Sequence, residues 1–409
     1  MNLSTLYPLF TIDALNRFVF WAIGLFCLLT TIYSLRLIKK SRFQYYFWIF
    51  LTALVSMATV LANNFLLLLV LWGFLGVALY ILVSMGKDAA ATAKKTFIIV
   101  GGSDVFMLLG VGIIYYLTGS FQMDAIKLEL NSGLAVSAYL CLAVACFAKA
   151  GAMPFHSWIP DCAEDAPLPV VAYLPASLDK LLGIYLLARI SLDVFVMNDV
   201  MNIVLMLVGA FTIIAAVMMA LVQHNMKRLL GYHAVSQVGY MVLGIGTGTP
   251  LGIAGGLFHM LNHAIYKSCL FFTSGNVEYR TSTVELDRLG DLAKVMPLTY
   301  ISCLIASLAI SGVPPFNGFV SKWMVYQGLF NQLSEASFAL RITILFCVVA
   351  AMFGSGLTLA SFMKLLHAVF LGRVSNTKRA DVKEVNWMMW LPGIALVIIC
   401  VLFGVFANQ

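Results

Sequence analysis

Charge is scarce in this sequence. Only 11% of its 409 residues are Asp, Glu, Lys or Arg, against roughly 25% in a soluble domain. Apolar residues make up 62%, and the mean hydropathy is +0.95. That balance excludes a water-soluble globule and leaves a chain whose surfaces face lipid or other membrane helices. Paired cysteines are missing as well. The eight cysteines (Cys27, Cys141, Cys146, Cys162, Cys269, Cys303, Cys347 and Cys400) form no CxxC pair. Neither an iron–sulfur site nor a disulfide framework is indicated, and no cofactor or metal is expected in this chain. A cleavable signal pattern is lacking too, because the first strong apolar run follows Arg17 and leads straight into others.

What is present is a series of helix-length apolar runs. They predict an all-α membrane protein, a single transmembrane domain over 1–409 with about twelve transmembrane helices. The spans are expected near 17–35, 46–63, 65–85, 96–118, 134–158, 168–190, 200–223, 229–247, 251–275, 297–326, 338–371 and 386–406. Numbering the loops alternately puts sixteen Lys and Arg on one side (Arg36, Lys39, Lys40, Arg42, Lys87, Lys94, Lys95, Lys227, Arg228, Arg280, Arg288, Lys294, Arg373, Lys378, Arg379 and Lys383). The other side holds four: Arg17, Lys127, Arg189 and Arg341. Cytoplasmic loops concentrate Lys and Arg. The reading is therefore a multi-pass protein of the cell (inner) membrane with both termini outside. The formal charge of +7 is a topology signal, and no nucleic-acid partner is implied.

Five basic residues remain, all inside expected spans: Lys149, Lys180, Lys267, Lys322 and Lys364. Only two acids, Asp104 and Asp179, lie comparably deep. A charge in the bilayer is costly and is normally buried in protein at a functional site. The stretch AYLCLAVACFAKAGAMPFHSW, 138–158, shows this best. Its apolar run reaches Lys149 and then meets Gly151 and Pro154, which break the helix. Broken backbone at membrane depth survives only when buried or lining a wet cavity; a lysine snorkelling to the headgroups is the competing reading. The tenth span repeats the ingredients, with Pro314, Pro315 and Gly318 ahead of Lys322. Two lysine-bearing broken helices predict two inverted five-helix repeats, over 45–190 and 200–372, each a half-channel.

Between the breaks, His259, His263 and Lys267 are spaced i, i+4, i+8 and share one helix face. Imidazoles titrate near neutrality, so this stripe suits proton transfer. Metal binding by HxxxH and histidines held only for packing are the alternatives; no third ligand is evident. Lys267 is expected to point toward one of the broken helices.

The run KAGAMPFHSWIPDCAEDAPLPVVAYLPASLDKLLGIY, with HNMKRLLGYHAVSQVGYMVLGIG, FHMLNHAIYKSCLFFTSG and GVPPFNGFVSK, resembles the antiporter-like subunits of respiratory complex I, membrane-bound hydrogenases and Mrp-type cation/proton antiporters. The matches run in order over roughly 45–372. By that resemblance the chain looks like one that starts at the family's third helix and stops before a lateral helix. The resemblance implies that Lys149 and Lys322 are the broken-helix lysines. It assigns His259, His263 and Lys267 to the connecting polar axis, Asp104 to an aspartate of the fourth span, and Asp161 to a loop position with a capping or turn-forming role.

Two departures stand out. Gly73 occupies the place of a glutamate that partners the broken-helix lysine, so the third span carries no acid. Pro175 occupies a histidine place, and Lys180 sits one residue early beside Asp179, with Asp179 or Asp104 as its expected partner. The function expected is proton translocation in a redox-driven complex of the NADH:quinone oxidoreductase or energy-converting hydrogenase type, without bond chemistry in this chain. Its expected proton-transfer residues are Lys149, Lys180, His259, His263, Lys267, Lys322, Asp104 and Asp179. Expected partners are other membrane subunits, the lipid bilayer and protons, with sodium as the alternative ion. A cation/proton antiporter and a subunit of an inorganic-carbon uptake complex are the alternative functions.

Overall fold

Inside lipid the backbone finds no solvent partner, so each apolar run closes its hydrogen bonds internally as a helix. The computed structural model describes residues 9–333, 337–372 and 382–407; Arg373, Lys378 and Arg379 of the expected cytoplasmic loop lie outside the described residues. In chain order the helices are α1 (Ala14–Leu37), α2 (Arg42–Leu61), α3 (Phe65–Ser84), α4 (Ala90–Thr118), α5 (Gly133–Ala150), α6 (Trp158–Asp165), α7 (Leu168–Tyr173) and α8 (Asp179–Arg189). They continue as α9 (Asp199–Leu221), α10 (Met226–Gly246), α11 (Pro250–Thr281), α12 (Pro297–Ser311), α13 (Asn317–Asn331), α14 (Phe338–Leu366) and α15 (Trp387–Val405). Short polar residues start many of them. Asp13 caps α1 in a reciprocal box with Asn16, and Asn64, Ser132, Asn198, Asn225, Thr249, Ser337 and Asn386 each accept a first-turn N–H. The only strands among the described residues are β1 (Leu128–Glu129) and β2 (Phe195–Val196), which pair in parallel.

Nine helical stretches among the described residues are long and apolar enough to cross a membrane. The polar helices α10 and α11 are not among them, and their burial explains their composition. Nearly every α10 residue is buried, as is α11 from His259 to Val277 apart from Leu261, so protein rather than lipid surrounds their hydroxyls, amides and imidazoles. The runs expected at 134–158 and 297–326 are both interrupted, dividing into α5 with α6 and α12 with α13. Lys364 departs from the expectation of a deep lysine. It donates to the carbonyls of Leu221 and Gln223 at 3.0 and 3.1 Å, at the C-terminal end of α9. A cation there offsets the negative helix end.

The centre of the molecule is the segment α7–α8, joined by a π-helical turn at Leu174–Leu178 that contains Pro175. Every residue from 168 to 188 is buried. Gly183 lets this segment press against the broken helix: a Cβ there would stand 2.8 Å from the Cys146 carbonyl and the Ala150 nitrogen. That close approach sets Lys149 beside the start of α8.

Candidate functional site

Both breaks end a helix in the same way. Gly151 (φ 81°) follows α5 and Gly312 (φ 79°) follows α12, each in the left-handed conformation that side chains other than glycine's adopt at a cost. The last carbonyls of each half-helix are left facing the protein interior, where the negative end of the helix dipole favours a cation.

At the first break the cation comes from the helix itself. Lys149, in the last turn of α5, is fully buried, with its Nζ 4.7 Å from the centre of the Trp72 ring. No described atom hydrogen-bonds to that Nζ. Lys180 is equally buried, 5.7 Å from the Trp158 ring, and its Nζ also lacks a described partner. Asp179 is 3% exposed with Oδ2 unpartnered among the described residues. Asp104 is half-buried, between α4 and α3. The expected pairing of Lys180 with Asp179 or Asp104 is not formed. Among the described residues every ion pair within 4.0 Å lies at one of the two faces of the bundle, and none includes these four groups. Packing Gly183 against α5 and the π turn ahead of Asp179 fix the backbone so that the groups remain within electrostatic reach without touching.

At the second break the cation comes from the following helix. Lys322 of α13 reaches back to donate to the Ile310 carbonyl at 2.8 Å and to Ser355 Oγ at 3.0 Å, above the Tyr240 ring at 4.6 Å. Among the described residues no carboxylate bonds this ammonium. Between the breaks, His259 is fixed by Ser321 on Nδ1 (2.9 Å) and by Gln237 on Nε2 (3.2 Å). His263, one turn on, is fully buried, and neither ring nitrogen has a described partner. Lys267 donates to the Leu230 carbonyl at 3.0 Å. It points to α10, not to a broken helix as expected, because the buried carbonyl that accepts from it is on that helix.

These groups form one electrostatic sequence. Lys149 acts on Asp104 and Asp179, and Lys180 acts on Asp179. Lys267 and Lys180 are within electrostatic range of His263, and Lys180 of Lys267. His233, which the sequence does not single out, is within electrostatic range of both Lys267 and Lys322, bonds Ser361 at 2.7 Å and leaves Nδ1 without a described partner. Its signal was present, a histidine in a helix of sheltered polar residues, but its i+4 neighbour, Gln237, is not titratable. Asp161 is not brought into this axis. It pairs with Lys95 at 2.6 Å and Arg228 at 3.1 Å, tying α4, α6 and α10 together at the rim.

A family model described as NADH:quinone oxidoreductase/Mrp antiporter, TM, matches residues 62–354. Hydrogenase-4 component B of Escherichia coli (strain K12) is 28% identical over 419 residues, covering 97% of this chain and 62% of that protein. The Na(+)/H(+) antiporter subunit A1 of Staphylococcus epidermidis (strain ATCC 35984) is 29% identical over 405 residues, covering 93% of this chain and 50% of that protein. This chain thus spans between half and two thirds of the length of these two relatives. A chain of the Mrp complex from Dietzia sp. DQ12-45-1b shares the fold with a TM-score of 0.88 at 20% identity, covering 98% of this chain and 82% of that one. With most of its length matched by the family model, this chain belongs to the NADH:quinone oxidoreductase/Mrp antiporter transmembrane family.

Proposed function

We propose that this chain is a proton-translocating, antiporter-like subunit of a redox-driven membrane complex, in which other subunits carry the electrons. The observation that carries the reading is the series of ionisable groups inside the bundle, from half-buried Asp104 through buried Lys149, Asp179, Lys180, His263, Lys267 and His233 to Lys322 and His259. Several of them lack a described hydrogen-bond partner, which leaves them open to bonding with water. The mechanism is stepwise charge transfer. For groups about 8 Å apart at an effective dielectric of about 20, one charge alters the next site by roughly 2 kcal/mol, about a thirtyfold change in proton affinity. Loading one lysine therefore favours unloading its neighbour.

The spans at 45–190 and 200–372 serve as inverted half-channels in this reading, with the basic face cytoplasmic and both termini outside. A second reading, a cation/proton antiporter, is favoured by the 29% identity to a Na(+)/H(+) antiporter subunit A1. Dependence of transport on sodium separates the two. The function itself is tested with the purified complex in proteoliposomes, following proton uptake driven by its electron donor. Lys267→Ala should reduce uptake at least tenfold at unchanged assembly, and wild-type uptake by that variant would remove the relay.

A further inference from the structure

Helix α12 has no cap of its own. Met296 precedes it without a side-chain hydrogen bond to its first turn, and Pro297 opens it. The free N–H groups are taken instead by Glu384, from the segment leading into α15. Its Oε2 accepts from the Leu298 and Thr299 amides at 2.9 and 3.1 Å, and its Oε1 accepts from Thr299 Oγ at 2.7 Å. Glu384 is itself held: Oε1 also accepts from the Val385 amide at 3.1 Å, and its carbonyl accepts from the Arg280 guanidinium. Thr299 continues the bracing through Asn276, which bonds its Oγ at 3.2 Å and in turn accepts from Tyr33.

The opposite end of α12 is the seat of Lys322. The Ile310 carbonyl receives the ammonium, and the Ser311 carbonyl receives Ser355 Oγ at 2.9 Å, which itself holds the same ammonium. The helix has 15 residues, about 22 Å at 1.5 Å each. A carboxylate thus sits on its positive end and an ammonium on its negative end, both in the favourable sense for the helix dipole. A short, intact α-helix transmits a shift of its first turn to its last as a rigid body. Among the described residues no other side chain caps the first turn.

We propose that Glu384 is a positioning residue for Lys322: from the opposite end of α12 it fixes the height and tilt of that half-helix, and so keeps the Ile310 carbonyl beneath the ammonium. The inference rests on the transport role given to Lys322 above. It assigns a task to a loop residue on the basic face, far from the relay it serves.

The test is a double-mutant cycle on proton uptake by the purified complex in proteoliposomes, at matched assembly. Ser355→Ala removes one acceptor of Lys322 and leaves Ile310 in place, so a loss of twofold or less is expected. Glu384→Ala frees the first turn, and about a fivefold loss is expected, the scale of losing one helix cap. Together they remove both acceptors, and the loss should exceed the product of the two. Glu384→Gln keeps an acceptor oxygen for the Leu298 and Thr299 amides and should stay within twofold of wild type; if Glu384→Ala does not assemble, Glu384→Asp, which draws the carboxylate back from α12, takes its place in the cycle. A simple product of losses, a Glu384→Ala variant as active as wild type, or a Gln variant no better than Ala overturns the inference. Lys322→Met is measured alongside. Full activity there removes the transport role of Lys322 instead, a different result from any of the Glu384 outcomes.

Discussion

The Asp104 carboxylate lies over Gly73. Its Oδ2 is 3.9 Å from the point where a Cβ would stand on Gly73, and 3.8 Å from the equivalent point on Gly76 one turn along. Glycine at both positions opens a shallow recess in α3 beside Trp72, whose ring lies 4.7 Å from the Lys149 ammonium. The family resemblance leads one to expect a carboxyl group on α3; the one beside this recess belongs to α4.

That relationship changes what a glutamate at position 73 would do. Gly73→Glu sets a second carboxylate against Asp104, and two crowded carboxylates resist joint ionisation. The single variant should therefore transport less than wild type, while Gly73→Glu combined with Asp104→Asn moves the charge onto α3 and should recover most of the activity lost by Asp104→Asn alone. Lys149→Ala should lower proton uptake in either background. A double variant no better than Asp104→Asn would show that the charge cannot be transposed.

The two histidines of α11 should separate stability from transport. His259 satisfies Ser321 and Gln237, so His259→Ala strands buried polar groups at about 1–3 kcal/mol each and should lower the melting temperature of the complex. His263 holds no described hydrogen-bond partner, so His263→Ala leaves a cavity but strands no polar group; it should lower melting less than His259→Ala while reducing proton uptake. Differential scanning fluorimetry beside the proteoliposome assay reads both. Equal melting losses for the two variants would contradict the assignment.

Lysines inside apolar runs are the most legible feature of a sequence like this one, because a single charge among twenty apolar residues is visible without knowing what packs against it. Lys149, Lys180, Lys267 and Lys322 were found that way, and all four are buried. Lys364 looks identical in one dimension. Only the docking of α14 against the end of α9 shows that its ammonium meets carbonyls at the rim. His233, Ser355 and Glu384 carry no such contrast, since each depends on a neighbour 44 to 128 residues away. The broken helices were legible from proline and glycine. Which lysine meets which carbonyl was not, because that follows from how α8 and α13 dock.

Asp161 should matter to the rim and little to the relay. It is partly exposed, as are Lys95 and Arg228, and such pairs contribute up to about 1 kcal/mol each. Asp161→Asn should lower the melting temperature by a few degrees at low salt, with the difference shrinking in high salt. Undiminished destabilisation at high salt would point to packing instead.

Cysteine labelling in intact cells tests the orientation. A cysteine at position 40 should be protected from an impermeant maleimide and one at position 127 labelled. The reverse pattern would invert the whole topology.

The burial of residues 168 to 188 on every side has a consequence for how the chain tolerates change. A helix with a lipid-facing flank has positions where one apolar residue replaces another freely, as on α4, where Ile98, Val105 and Leu108 are exposed. This segment has no such flank. Random variation across it would be filtered at every position by neighbours of fixed shape, so the middle of the protein should be its least substitutable stretch, whichever residues carry protons.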